Sequence, residues 1–133
     1  MGDDGRDIAA DKLEIIETLN RYCFAVDFLD FAALEGVFAE GASATYVLEP
    51  LGLDDVALEG RDAIIAWLSS VLGNLGAPGP KHAMTNHIVD VKGDSAKSRS
   101  YLNVGSGIYT VDYVRTPEGW RVVQFHMRNY VRK

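Results

Sequence analysis

The stretch His82-Ala83-Met84-Thr85-Asn86-His87-Ile88-Val89-Asp90-Val91, broken by Lys92-Gly93-Asp94 and resumed by residues 95–104, decides the fold. Its alternating and β-branched residues predict two antiparallel strands joined by a glycine turn. The same pattern follows at once: residues 108–115 turn through Pro117-Glu118-Gly119 and return as residues 120–131. From His82 onward the chain reads almost wholly as strand, a long antiparallel meander.

Upstream the period changes. Leu13, Ile16, Leu19, Cys23 and Val26 fall at helical spacing and predict a helix over residues 8–26. Asp30 reads as the N-cap of a short helix over residues 31–38, ending before Gly41. A strand is expected at 42–48, a loop over one end of the molecule at 49–55, and an amphipathic helix at 61–72. That helix carries Ile64, Leu68, Val71 and Leu72 on one side and Gly73 near its stop. Gly76-Ala77-Pro78-Gly79-Pro80 breaks the chain before the sheet. Residues 1–7 read as a flexible tail and 8–133 as a single α+β domain. Its helices are expected to pack against a strongly curved, mostly antiparallel sheet, forming a cone-shaped barrel with an open mouth.

Composition narrows the partners. The 133 residues carry a net charge of −6 without a Lys/Arg cluster, so a phosphate backbone would be repelled. A neutral or apolar small molecule, or a second copy of the chain, fits better. The single cysteine, Cys23, cannot form an internal disulfide and reads as a small apolar residue on a buried helix face. No apolar run reaches the ~20 residues of a membrane span, and the acidic start lacks signal-peptide order. A cytoplasmic protein is expected.

Alternation along residues 82–89 sets His82, Met84, Asn86 and Ile88 on one face and Ala83, Thr85, His87 and Val89 on the other. His82 and His87 can both point inward only if the strand bulges. With three histidines in all, a His-rich metal site is not expected. No glycine-rich phosphate cradle is present, and no cofactor is called for.

Asp27 stands at the C-terminal end of the first helix, where the macrodipole disfavours a carboxylate, with no Lys or Arg beside it. A residue placed against local preference points to a site. Paired with His82, it could orient the imidazole for proton abstraction. Tyr22, Tyr46 and Asn86 could donate to a developing negative charge, although each serves equally well as a core or strand residue. His87 reads as structural or exposed, His126 is open, and Arg128 reads as solvated or at an interface. Trp67 and Trp120 suit a core or interface better than a pocket. Ser98 and Ser100 have no adjacent base in sequence, so a serine nucleophile is not expected.

Four features carry a family resemblance. They are Tyr22 and Asp27 ending the first helix, Gly60-Arg61-Asp62-Ala63-Ile64, the pair His82 and Asn86 on a strand running to Val91-Lys92-Gly93-Asp94-Ser95-Ala96, and Tyr109-Thr110-Val111-Asp112-Tyr113-Val114-Arg115 followed by Gly119-Trp120-Arg121. Together they resemble the SnoaL-like branch of the nuclear transport factor two superfamily, whose members are cone-shaped α+β barrels. Within it the chain is most similar to cofactor-free lyases: hexachlorocyclohexane dehydrochlorinase, bile-acid dehydratase and, more distantly, scytalone dehydratase. The likeness to the first two implies that Asp27 and His82 form a catalytic pair. The likeness to the bile-acid enzyme also implies that Tyr22 polarises substrate. It breaks at Phe125, where the dehydrochlorinase has an arginine, with Arg128 three residues on. It breaks again at Ser98 and Ser100, in the region where scytalone dehydratase has a second histidine.

The resemblance implies a lyase or isomerase abstracting a proton from a small cyclic apolar substrate, with Met84, Ile88, Phe24 and Phe28 among the pocket walls. Two alternatives stay open. One is a binding or accessory subunit with the same fold, of the kind that braces ring-hydroxylating dioxygenases. The other is a polyketide cyclase or ketosteroid isomerase-like enzyme with Asp27 as base. A homodimer or homotrimer is expected, covering a sheet face that bears Tyr101, Tyr109 and Tyr113.

Overall fold

Asp7 opens the first helix by accepting the N–H of Ala10 at 3.1 Å, and α1 then runs Ile8–Asp27. The computed structural model describes residues 7–75 and 81–130. Most of the expected tail, the 76–80 break and Val131 lie outside those residues. The buried stripe of α1 is Asp11, Ile15, Thr18, Leu19, Tyr22, Cys23 and Val26. Leu13 is exposed and Ile16 only half-buried, so the stripe is rotated from the expected one and admits two polar residues.

The helix stops without glycine. Leu29 takes a left-handed φ of 60°, and the N–H groups of Phe28 and Asp30 return to the carbonyls of Phe24 and Ala25. Asp30 does not cap with its side chain; the segment after it is a 3₁₀ helix, Phe31–Gly36, shorter than expected. β1 (Phe38–Val47) starts four residues early, and a 3₁₀ turn, Glu49–Leu51, leads into a short strand not foreseen, β2 (Val56–Glu59). α2 spans Arg61–Leu72 as expected. The meander is β3 (Met84–Lys92), β4 (Ser95–Leu102), β5 (Gly107–Thr116) and β6 (Gly119–Asn129).

The six strands form one mixed sheet in the order β2-β1-β6-β5-β4-β3. β1 pairs with β6 in parallel and the other pairs are antiparallel. β2 and β3 are its two edges, so the sheet curves over the helices but does not close into a barrel.

Two irregularities set which side chains face inward. Asn86 has φ 58° and the β3–β4 register slips between Thr85 and Ile88. This bulge turns His87 and Val89 to the helix side and sends Asn86 and Ile88 out. On β6, Val122 pairs with Tyr113 and Gln124 with Asp112, leaving Val123 as an extra residue. Phe125 and Met127 therefore point inward and Arg128 outward. Tyr109 and Tyr113 are buried on the inner face; of the three tyrosines expected on an open face, only Tyr101 is exposed.

Helix and sheet are tied near the start of α1. Asp11 accepts from Arg115 Nη1 at 3.1 Å and Nη2 at 2.8 Å, and from Trp120 Nε1 at 3.1 Å. The Arg115 guanidinium also lies over the Trp120 ring, 4.5 Å from its centroid. Gly119, at φ 116°, leaves room for Glu14 Oε2, which accepts the Trp120 N–H at 2.8 Å. No helix among the described residues is long and apolar enough to cross a membrane.

Two predictions follow from this core. Asp11→Ala leaves the indole N–H unpaired and the Arg115 guanidinium with only Asp94, 3.2 Å from its Nε, and the Gly93 carbonyl, and is expected to cost about 2–4 kcal/mol in urea unfolding. Asp11→Asn should cost less, and equal stability of all three proteins would show that the tie is not holding the helix. The second concerns alkali. Burial, with the Asp27 charge as the next cause, pushes the Cys23 thiol from 9.0 up to about 12. The native state therefore holds that proton when the unfolded chain has lost it. Its contribution to stability is complete below pH 9.0 and is lost as pH rises toward about 12. The urea midpoint of the wild type should fall over that range more steeply than that of Cys23→Ala. A thiol reagent at pH 8 should react only as the protein unfolds, and rapid labelling of native protein would contradict this placement.

Candidate active site

Asp27 is the last residue of α1 and is 4% exposed. Both its oxygens go to one residue: Oδ2 accepts the backbone N–H of His82 at 2.9 Å, and Oδ1 lies 2.5 Å from His82 Nδ1. A carboxylate on Nδ1 selects the tautomer with the proton there, leaving Nε2 with a lone pair. His82 precedes β3 rather than opening it, and the strand's ladder begins at Met84. Its neighbours are held instead by Asn103. Asn103 Oδ1 accepts the Ala83 N–H at 2.7 Å, and its Nδ2 donates to the Lys81 carbonyl at 3.2 Å.

The imidazole borders a cavity of about 210 Å³ between α2, the inner face of the sheet and the turn after β1. Leu48, Leu51, Leu68, Val71 and Leu72 make much of its apolar wall. Tyr22, Tyr46, Tyr109 and Asn129 supply hydroxyl and amide groups. Tyr22 Oη and Tyr46 Oη share a hydrogen bond at 2.8 Å. Burial raises the pKa of both phenols and of Tyr109, so all three remain protonated through the neutral range. Asn129 Nδ2 donates to the Val47 carbonyl at 3.3 Å and lies 3.1 Å from Met127 Sδ.

The structure thus brings together Asp27, His82, Tyr22 and Tyr46. Met84 is buried in the core beneath them and does not line the cavity. Asn86 is not on that face: the bulge puts it outside, where it borders a separate groove with Ile88 and Tyr101. Arg128 is exposed on the outer face of the sheet, because no bulge separates it from Phe125. Phe24, Phe28 and Ile88 are exposed and form no wall of this cavity. Trp67, read as a core or interface residue, lines the cavity with its ring centroid 4.5 Å from that of Tyr46. Trp120 is core.

Reading by residue type missed Tyr109, Asn129 and Asn103. The parity of the two hairpins, counted inward from Ser98 and Ser100, could have placed Tyr109. The loop amide of Asn103 carried no signal. Ser100 does have a base within reach, since its Oγ lies 2.8 Å from His87 Nδ1. Ser100 is 1% exposed, and burial lowers the His87 pKa, keeping that ring neutral at pH 7. His126 lies on the outer face, paired in register with Thr45 and Thr110. Among the described residues no group of three or more His, Cys, Asp or Glu side chains is placed to hold a metal.

Comparison with known proteins agrees with this architecture. The chain is 36% identical to an uncharacterised protein of Mycobacterium tuberculosis over 130 residues, 86% of this chain and 82% of the other. A crystal structure of a candidate aromatic ring hydroxylase from Novosphingobium aromaticivorans superposes with a TM-score of 0.78 at 26% identity, covering 96% and 94% of the two chains. An NTF2-like protein with a cystatin-like fold from the same organism gives a TM-score of 0.74 at 28% identity, covering 97% and 92%. The model of the SnoaL-like domain matches residues 7–126. The chain belongs to the SnoaL-like domain family, a branch of the NTF2-like superfamily.

Proposed function

We propose that the protein is a cofactor-free lyase or isomerase, of dehydratase or dehydrohalogenase type, acting on a small cyclic apolar molecule. The observation that carries this reading is the double grip of Asp27 on His82, at a ring whose other nitrogen is left for an apolar cavity. His82 Nε2 takes a proton from a substrate carbon, and Asp27 balances the imidazolium that forms. The freed electron pair makes a carbon–carbon double bond as a neighbouring leaving group departs with its own pair. In an isomerisation, the imidazolium instead returns the proton to another carbon. The Tyr22–Tyr46 hydroxyl pair stands at the same cavity to donate toward developing negative charge.

Two observations weigh against the alternatives. Asp27 as base, in the manner of a cyclase or ketosteroid isomerase, would need a free carboxylate oxygen, and both are occupied by His82. A bracing subunit, a role the ring-hydroxylase designation of one structural neighbour brings to mind, needs no buried carboxylate–imidazole contact opening on a cavity. The partner we propose for the outer sheet face, where Ile88 and Tyr101 are exposed, is a second copy of the chain.

The test is a panel of cyclic β-hydroxyketones and halogenated rings incubated in D₂O, with elimination products and solvent deuterium at carbon read by NMR. His82→Gln and Asp27→Asn should each lower the rate by about 10²–10⁴ with little change in KM, the usual worth of a positioned base. Turnover that survives both substitutions would sink the reading.

A further inference from the structure

Tyr109 is 1% exposed, and its ring borders the cavity. Unlike Tyr22 and Tyr46, which share one hydrogen bond, and Tyr113, which bonds Ser98 at 2.6 Å, it has no hydrogen-bond partner among the described residues. Nor is its oxygen sealed in protein: the one sealed, unpartnered side-chain polar atom among those residues is Arg61 Nε. The Tyr109 hydroxyl therefore opens onto free space, and the space its ring borders is the cavity. A buried phenol without a partner costs stability, so its retention asks for a ligand. The only basic side chain among the cavity's described lining residues is His82, and Asp27 already stands against it, so no uncompensated positive charge is there to neutralise a carboxylate or phosphate. Its volume, about 210 Å³, exceeds the roughly 150 Å³ of a cavity known to take benzene, and it suits one substituted ring rather than several fused ones.

We propose that Tyr109 donates the hydrogen bond that holds the substrate's oxygen, and that the substrate is an uncharged single-ring carbonyl compound. The proposal rests on His82 being the base. In the step it implies, the C–H bond beside the carbonyl breaks and its proton passes to His82 Nε2. The C–H pair becomes the enolate double bond, and the carbonyl π pair moves to the oxygen held by Tyr109. When the carbonyl re-forms, a leaving group on the next carbon departs with its pair, or the imidazolium returns the proton elsewhere. Burial keeps Tyr109 protonated, so the donor is present throughout the neutral range. Its task is to meet charge where charge develops.

The experiment titrates acetophenone labelled with ¹³C at the carbonyl into wild type, Tyr109→Phe and His82→Gln. Benzoate serves as an anionic ligand of similar size. In wild type the carbonyl resonance should move downfield on saturable binding. Tyr109→Phe should abolish that movement and weaken binding about tenfold, the loss of one hydrogen bond. Its Tm should not fall, because the hydroxyl has no protein partner to lose; a structural hydroxyl would lower it. His82→Gln should retain the carbonyl movement, and benzoate should bind at least about tenfold more weakly than acetophenone. An unchanged resonance in Tyr109→Phe, benzoate binding as tight as the ketone's, or no saturable binding to wild type would each overturn the proposal. Deuterium entering the methyl group of acetophenone reports separately on His82. If the carbonyl movement depends on Tyr109 but no exchange occurs, the assignment of Tyr109 stands and the base reading falls.

Discussion

A carboxylate at the C-terminal end of a helix works against the helix dipole, and Asp27 is buried there as well. Two N–H donors from a single residue answer that cost. The contact fixes more than the pair. It locks the end of α1 to the segment leading into the edge strand β3, 55 residues away in sequence. Removing the carboxylate would leave the His82 backbone N–H and ring without their common acceptor, so the structural and chemical parts of the contact cannot be separated by one substitution.

The cavity is polar only where the protein can keep it neutral. Its hydroxyls belong to tyrosines whose pKa values burial raises, and its amide is tied to the backbone through one hydrogen. Trp67 stacks obliquely on Tyr46, and Phe125 sits beneath Tyr22, Tyr46 and Tyr109 with ring centroids 4.8, 5.7 and 5.2 Å away. That aromatic floor surrounds the phenols with apolar surface. Hydrogen bonds from them are therefore stronger than they would be in solvent. The arginine that the resemblance led one to look for would stand where Phe125 is, and its absence is part of the same design: a floor of rings replaces a buried charge.

Much of this was legible in the chain. The helix over Arg61–Leu72 and the turns at Gly93 and Gly119 follow from period and turn chemistry, and Asp27 stands out by its placement against the dipole; His82 and Tyr22 needed the family resemblance to be read as site residues, and Tyr46 read equally well as core. Parity counting failed on β3, and could not be carried along β6, for one reason. A bulge adds a residue without a mark in composition, and every side chain beyond it changes face. Asn86 marks its own bulge by tolerating a left-handed φ, yet an asparagine on a strand reads equally well as a ligand. Val123 gives no signal at all. Leu29 hides a helix stop for the converse reason, since a leucine holds the conformation that glycine would announce.

His82 also shows why a site residue can sit off the regular structure and still be held firmly. It precedes the ladder of β3, so no strand neighbour fixes its backbone. Two groups from different elements do so instead. Asp27 reaches from the helix to His82 itself, and Asn103 reaches from the β4–β5 turn to the residues on either side of it. The second clamp is held at some expense, because Asn103, Val104 and Gly105 are all left-handed, with φ of 44°, 60° and 84°. Asparagine and glycine accept that region readily and valine does not. The turn is also braced from its far side, where Ser106 Oγ donates to the Leu102 carbonyl at 3.1 Å and the Tyr130 N–H to the Ser106 carbonyl at 2.9 Å. A strained turn persists only where its surroundings over-determine it. Here the bonds on both sides do so, and the conformation they enforce is the one that brings the Asn103 amide across to the histidine's neighbours.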